Sequence, residues 1–256
     1  MEGYHFYIIN LKRSSERLHN MKKHYDNNNI VRVEGYDGNI IESYNDIKYA
    51  DYNHRDTDFQ NGKYKFELGC SFSHIKAIKQ AYEDGLEEVF IVEDDILNTY
   101  KNKWRYSLNE IIKNKPNEAE CLIFFSTNIR QNITHIQCPY CFWKWYPVFN
   151  DNKKDAITCA GHNSTGIYYI NRKGMKKLYD KYIKNNIIDF TNTREILIAD
   201  KLLIYPLLNT YHITKPTFID ECKDSCIHIS HVRSTVNNNR LLKQYFDNQP
   251  NYNRYK

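Results

Sequence analysis

The sequence predicts an α/β protein with a mostly parallel sheet and helices on both faces, and three observations carry that prediction. Short apolar, β-favouring runs alternate with segments of helical period over the first half of the chain. Those runs are mostly apolar, and the one at 89–92 wholly so, as buried strands are. The run at 89–92 leads straight into Glu93, Asp94 and Asp95, and the carboxyl end of a strand is where open α/β sheets place ligand-binding groups.

Residues 4–9 (Tyr-His-Phe-Tyr-Ile-Ile) read as the first strand, ending at Asn10. Lys12, Arg13 and Arg17 flank Ser14 and Ser15, after which Leu18, Met21 and Tyr25 recur at helical spacing, so a Ser-capped helix is expected. A second strand is predicted over 30–33, ending in a turn marked by Gly35, Asp37 and Gly38. Residues 43–65 are polar and without period, and read as a surface loop. Leu68, Phe72, Ile75, Ile78 and Tyr82 share one helical face, and Gly85 stands where a helix stops. Further on, 104–112 reads as helix and 121–125 as strand, while 126–165 is rich in aromatics, among them Trp143 and Trp145. Residues 165–170 read as strand, followed by a helix carrying Met175, Leu178, Tyr179 and Tyr182 on one face. A shorter helix is expected over 196–203 and a strand or loop over 226–231, with a loosely ordered polar end to the chain. One domain is expected over 1–240, with 1–100 as its nucleotide-binding half, 101–240 as its acceptor half, and 241–256 as a tail.

Composition narrows the function classes. Of 256 residues 41% are hydrophobic and 26% charged, close to the globular norm, which argues against wholesale disorder. Net charge is +5, yet 36 Lys and Arg are interspersed with 31 acids and form no long basic block, so nucleic acid is not indicated as a partner. The start of the chain lacks the features of a secretory signal, and no apolar run approaches the roughly 20 residues of a membrane span. A soluble protein is expected, with cytoplasm and secretory lumen both left open as its compartment. Seven Cys cannot all pair within one chain.

The chemistry concentrates at Glu93-Asp94-Asp95. Three consecutive acids at a strand end repel one another and lose hydration beside an apolar core. A hard divalent cation, Mn²⁺ or Mg²⁺, resolves that conflict and can also hold a diphosphate. If the three residues stay extended, Glu93 and Asp95 point one way and Asp94 the other, so that Asp95 can ligate metal while a neighbour meets the rest of a nucleotide. A charged turn capping a helix is the plainer alternative.

Taken in order, Tyr7-Ile8-Ile9-Asn10-Leu11-Lys12-Arg13 through Arg17, then Gly69-Cys70-Ser71-Phe72-Ser73-His74, then Ile91-Val92-Glu93-Asp94-Asp95-Ile96 resemble the ordered signature of glycosyltransferase family 25. Gly166 to Gly174 and Ala199-Asp200 are similar to its downstream motifs. That family contains lipooligosaccharide and collagen glycosyltransferases. The resemblance implies a GT-A type, Rossmann-like fold, a UDP-hexose donor, and a divalent ion at the acidic motif. It places Asn10, Arg13 and Arg17 beside the nucleotide, and Ser73 and His74 at the start of a helix facing the donor. It implies Glu93 and Asp94 as donor-binding residues, Asp95 as a metal ligand, His231 (with His228 as the alternative) as a further ligand, and Asp200 as the base of an inverting transfer. The implied acceptor is hydroxylysine or galactosylhydroxylysine of a collagen-like protein, or else a glycan or lipid-linked saccharide.

Two rival readings remain. Cys138, Cys141, Cys159 and His162, or Cys222, Cys226, His228 and His231, have spacings that suit structural zinc. Asp95 with Asp200 would suit a hydrolase using paired carboxylates.

Overall fold

The computed structural model describes residues 3–25, 29–50, 64–125, 145–147, 165–193, 199, 204–213, 217–220 and 229–250. In chain order the strands are β1 (Phe6–Asn10), β2 (Ile30–Glu34), β3 (Ile47–Tyr49), β4 (Glu88–Glu93), β5 (Ile96–Leu97) and β6 (Cys121–Ile123). They continue with β7 (Trp145–Pro147), β8 (Ile167–Asn171), β9 (Ile183–Lys184), β10 (Ile187–Phe190), β11 (Thr210–Ile213) and β12 (Ile219–Asp220). The α-helices are α1 (Ser15–His24), α2 (Tyr64–Glu83), α3 (Leu108–Lys113), α4 (Arg172–Tyr182) and α5 (Ile229–Asp247).

Among the described residues the central sheet has seven strands in the order β2-β1-β4-β8-β6-β11-β7. The pairs β1·β2, β1·β4 and β6·β11 are parallel, while β8 and β7 run antiparallel to their neighbours. This is the α/β architecture the sequence predicts. Period-two alternation along β4 explains why its run is apolar throughout: Val89 and Ile91 enter one core, Phe90 and Val92 the other. The first core is covered by α2, through Leu68, Phe72, Ile75 and Ile78, and by α4, through Met175, Leu178 and Tyr182. On the opposite face Met21 of α1, Leu108, Ile111 and Ile112 of α3, and Leu242 and Phe246 of α5 close the second core. Each such fully buried side chain stabilises by about 1.5–3 kcal/mol relative to exposure.

Several expectations give way. Ser14 occupies the N-cap position of α1 but makes no side-chain capping bond. Part of the expected 43–65 loop is ordered, since β3 pairs in parallel with β10, and helix α2 begins at Tyr64. Ser73 and His74 therefore lie in the middle of α2 rather than at its start, and its N-terminal amides are not beside them. The first turn, Tyr64-Lys65-Phe66-Glu67, offers no capping signal that would betray so early a start. The expected polar tail from residue 241 begins inside α5, because Leu242, Tyr245 and Phe246 return at helical spacing and Phe246 stacks on Tyr100 at 4.7 Å. Apart from Ala199 the helix expected over 196–203, the aromatic segment except 145–147 and 165, and both Cys/His sets other than His231 lie outside the described residues.

Candidate functional site

The ends of β1 and β4 lie side by side, with Ile9 opposite Glu93 in the parallel register. Two connections therefore leave the sheet at the same edge, one into α1 and one into the acidic triplet. α2 crosses over them, held close by its glycine: a Cβ on Gly69 would come within 2.7 Å of the Tyr36 carbonyl oxygen. That approach brings Cys70, Ser73 and His74 to a cavity of about 370 Å³. Arg13, Arg17, Glu93, Asp94 and Asp95 line the same cavity, as do Tyr36 and Asp37.

The three acids do not stay extended. Strand β4 ends at Glu93 and a turn holds Asp94 and Asp95 before β5. Asp94 and Asp95 therefore share a partner instead of facing opposite ways. The Arg17 guanidinium lies 3.2 Å from Asp94 Oδ1 and 3.4 Å from Asp95 Oδ2. Asn10 is buried beneath them, donating from Nδ2 to Asp94 Oδ2 at 2.7 Å and to the Ser14 carbonyl at 2.8 Å, while its Oδ1 accepts from Arg32 Nε at 3.0 Å. Asn10 thus acts by fixing Asp94, and it is absent from the residues lining the cavity.

Glu93 faces the other wall. Thr165 Oγ1 donates to its Oε1 at 2.8 Å, and His74 Nε2 lies 3.3 Å from the same oxygen. His74 Nδ1 lies 3.1 Å from the Tyr168 hydroxyl. Ser73 is occupied by the fold: its Oγ accepts from the Tyr36 amide at 2.8 Å and donates to the Gly69 carbonyl at 2.6 Å. Arg13 is ion-paired with Asp37, and both line the cavity.

The electrostatics split the triplet. Burial resists ionisation of Glu93, but hydrogen bonds from His74 and Thr165 and the charge of Arg17 outweigh it, so its carboxyl titrates below the ordinary range. Burial pushes Asp94 up, and Asn10 and Arg17 only partly offset it. Asp95 is pushed well above the usual carboxylate value, by burial first and then by the charges of Asp220, Glu93 and Asp94. A carboxylate crowded by three others in a cavity lined with oxygen donors fits a hard divalent cation, which would relieve the repulsion.

Asp220 and Thr165 are site residues that the sequence did not single out, and Cys70 and Tyr168 stand in the quoted motifs without a role assigned to them. Asp220 reaches the site because β12 pairs antiparallel with β5, opposite Ile96 and next to Asp95. No local sequence signal announces that pairing. Asp200 lies outside the described residues, and His231 falls in the first turn of α5. Among the described residues, no helix is long and apolar enough to cross a membrane.

Comparison with known proteins bears on this geometry. The family model described as "Glycosyltransferase family 25 (LPS biosynthesis protein)" matches residues 4–193. The human protein named "Procollagen galactosyltransferase 2" is 22% identical over 242 residues, covering 86% of this chain and 37% of the relative's length. The chain thus spans well under half of that relative.

Proposed function

The chain belongs to glycosyltransferase family 25, and from that premise we propose that it moves a hexose, glucose or galactose, from a UDP-sugar to an acceptor hydroxyl with the help of Mn²⁺ or Mg²⁺. The observation that carries this reading is the crowding of Asp94 and Asp95 in a cavity also lined by Arg13 and Arg17, with the charge of Asp220 acting on Asp95 as well. Asp95 would hold the ion, with Asp220, the acid whose charge acts most strongly on it, or His231 as a further ligand. When bound, the ion supplies charge neutralisation for the departing diphosphate. Arg17, held in place by two carboxylates, presents its guanidinium to the donor, and Arg13 adds positive charge at the same cavity. Asn10 keeps Asp94 oriented for the donor. In an inverting transfer the acceptor oxygen bonds to the anomeric carbon as the bond to UDP breaks, and Asp200 takes the acceptor proton.

For the acceptor we favour hydroxylysine or galactosylhydroxylysine of a collagen-like protein, supported by the name of the human relative. The family's description as an LPS biosynthesis protein favours a saccharide acceptor as the second reading. UDP release should be measured over several UDP-sugars against hydroxylysine, galactosylhydroxylysine and simple sugars, with and without Mn²⁺. Metal-dependent release with one of the first two acceptors supports the favoured reading, and release with simple saccharides alone selects the second. Turnover that ignores both chelation and Asp95→Ala would sink the metal-assisted mechanism.

A further inference from the structure

Cys70, His74 and Glu93 bring a thiol, an imidazole and a carboxylate together on the wall of the cavity away from Arg17. Their ligand atoms all lie within 4.8 Å of one another. Cys70 and His74 are four residues apart on α2, so they stand one above the other on the same face, the spacing by which a helix offers two ligands to one ion. Glu93 meets them from the end of β4.

Two outer contacts are arranged as such a site requires. With His74 Nε2 turned toward Glu93, its Nδ1 lies 3.1 Å from the Tyr168 hydroxyl, whose oxygen can accept a hydrogen bond from Nδ1–H and fix the ring and its tautomer. Thr165 donates to Glu93 Oε1 at 2.8 Å and sets the carboxylate's direction. His74 and Tyr168 are both buried, so neither ring swings freely. Bonds of about 2.0–2.3 Å to a tetrahedral ion place ligands roughly 3.3–3.8 Å apart. The triad would close by on the order of 1 Å at most, which side-chain torsions supply.

We propose that Cys70, His74 and Glu93 form a three-ligand site for a borderline-soft divalent cation of the zinc class, with one coordination position left open to the cavity. A thiolate beside an imidazole selects zinc or cobalt over magnesium and manganese, which prefer all-oxygen shells. Three protein ligands and an open fourth position form the pattern of a zinc that also binds a small ligand or water. The site uses neither Asp94 nor Asp95, so it stands whether or not the hard-ion reading of those residues holds.

The protein, stripped with a chelator, should be titrated with Co²⁺ and followed by absorption. A thiolate-to-cobalt charge-transfer band is expected, saturating at one equivalent and bleached by Zn²⁺. Cys70→Ser should remove the band, and His74→Gln should weaken cobalt binding beyond the roughly 10–100-fold that loss of an outer partner costs. Tyr168→Phe, which keeps the ring, should weaken it by about tenfold. Asp95→Asn should keep the band, which separates failure of this site from failure of the donor site. A folded wild-type protein without the band overturns the proposal, as does a band that survives Cys70→Ser, because the ion would then sit on other cysteines. Should Cys70→Ser fail to fold, Tyr168→Phe decides, and an unchanged cobalt affinity there overturns it.

Discussion

Glu120 stands just before β6 and Asp95 just past the end of β4, so these two carboxylates occupy opposite ends of one sheet. Glu120 is 1% exposed, yet Lys177 reaches it at 2.7 Å, Lys173 at 2.9 Å, and the Asn209 amide donates to it at 3.1 Å. Burial opposes its charge, these partners outweigh burial, and it titrates below the ordinary range. Among the described residues Asp95 has one such partner, Arg17 at 3.4 Å, shared with Asp94, against three neighbouring acids. A carboxylate whose charge the fold neutralises holds the structure together. One left in excess among the described residues, beside a cavity, marks a candidate binding group.

The largest test of that contrast is Asp95→Asn. Transfer should fall by about 10²–10³-fold or more, the scale of losing one preorganised electrostatic group, while the metal-free protein melts no lower than wild type. Steady-state kinetics with matched thermal melts would read both; a variant that unfolds readily would make Asp95 another Glu120. Next comes Glu120→Gln, expected to cost about 1–2 kcal/mol in chemical denaturation. The figure is below that for breaking a fully buried pair, because Lys173 and Lys177 are 69% and 44% exposed and return to water. UDP release should be untouched.

Acid separates the two carboxylates with opposite signs. The folded pKa of Asp95 is raised, so its contribution to stability is present below the unfolded value of about 3.9 and is lost as pH rises through the folded value. In chelated protein the melting advantage of Asp95→Asn should therefore grow from about pH 4 upward. The folded pKa of Glu120 is lowered, so its contribution is present above about 4.3 and lost as pH falls through the folded value. The penalty of Glu120→Gln should accordingly shrink in acid, and parallel slopes for the two variants would remove the distinction. The smallest effect is that of Thr165→Val, which deletes one hydrogen bond to Glu93 and should cost about 0.5–1.5 kcal/mol. A denaturation midpoint equal to wild type would show that Glu93 does not need it.

Sequence made the sheet legible wherever a strand is covered on both faces, because burial on two sides leaves an unbroken apolar word such as Val89-Phe90-Ile91-Val92. It also exposed the acids, since three charges abutting such a run are conspicuous. It misplaced Ser73 and His74 because Tyr64-Lys65-Phe66-Glu67 carry no capping signal in the sequence, and it took the end of α5 for a tail because that helix buries one narrow stripe among polar residues. The parts that Asp220, Thr165 and Tyr168 play at the site were invisible for a different reason. Each meets the triplet through a strand pairing across more than seventy residues of chain, as with Thr165 and Glu93, and pairing of that range leaves no local imprint.

The antiparallel strand β8 lies between β4 and β6, and that order governs how the protein is made. As the chain emerges from a ribosome, β4 finds β1 at once but must wait for residue 171 before its second edge is covered. A nascent or prematurely stopped polypeptide ending before residue 165 would bare a hydrophobic ribbon with free amides and carbonyls along one side. Residues 1–100 are therefore no independent module, and attempts to express them alone should yield inclusion bodies.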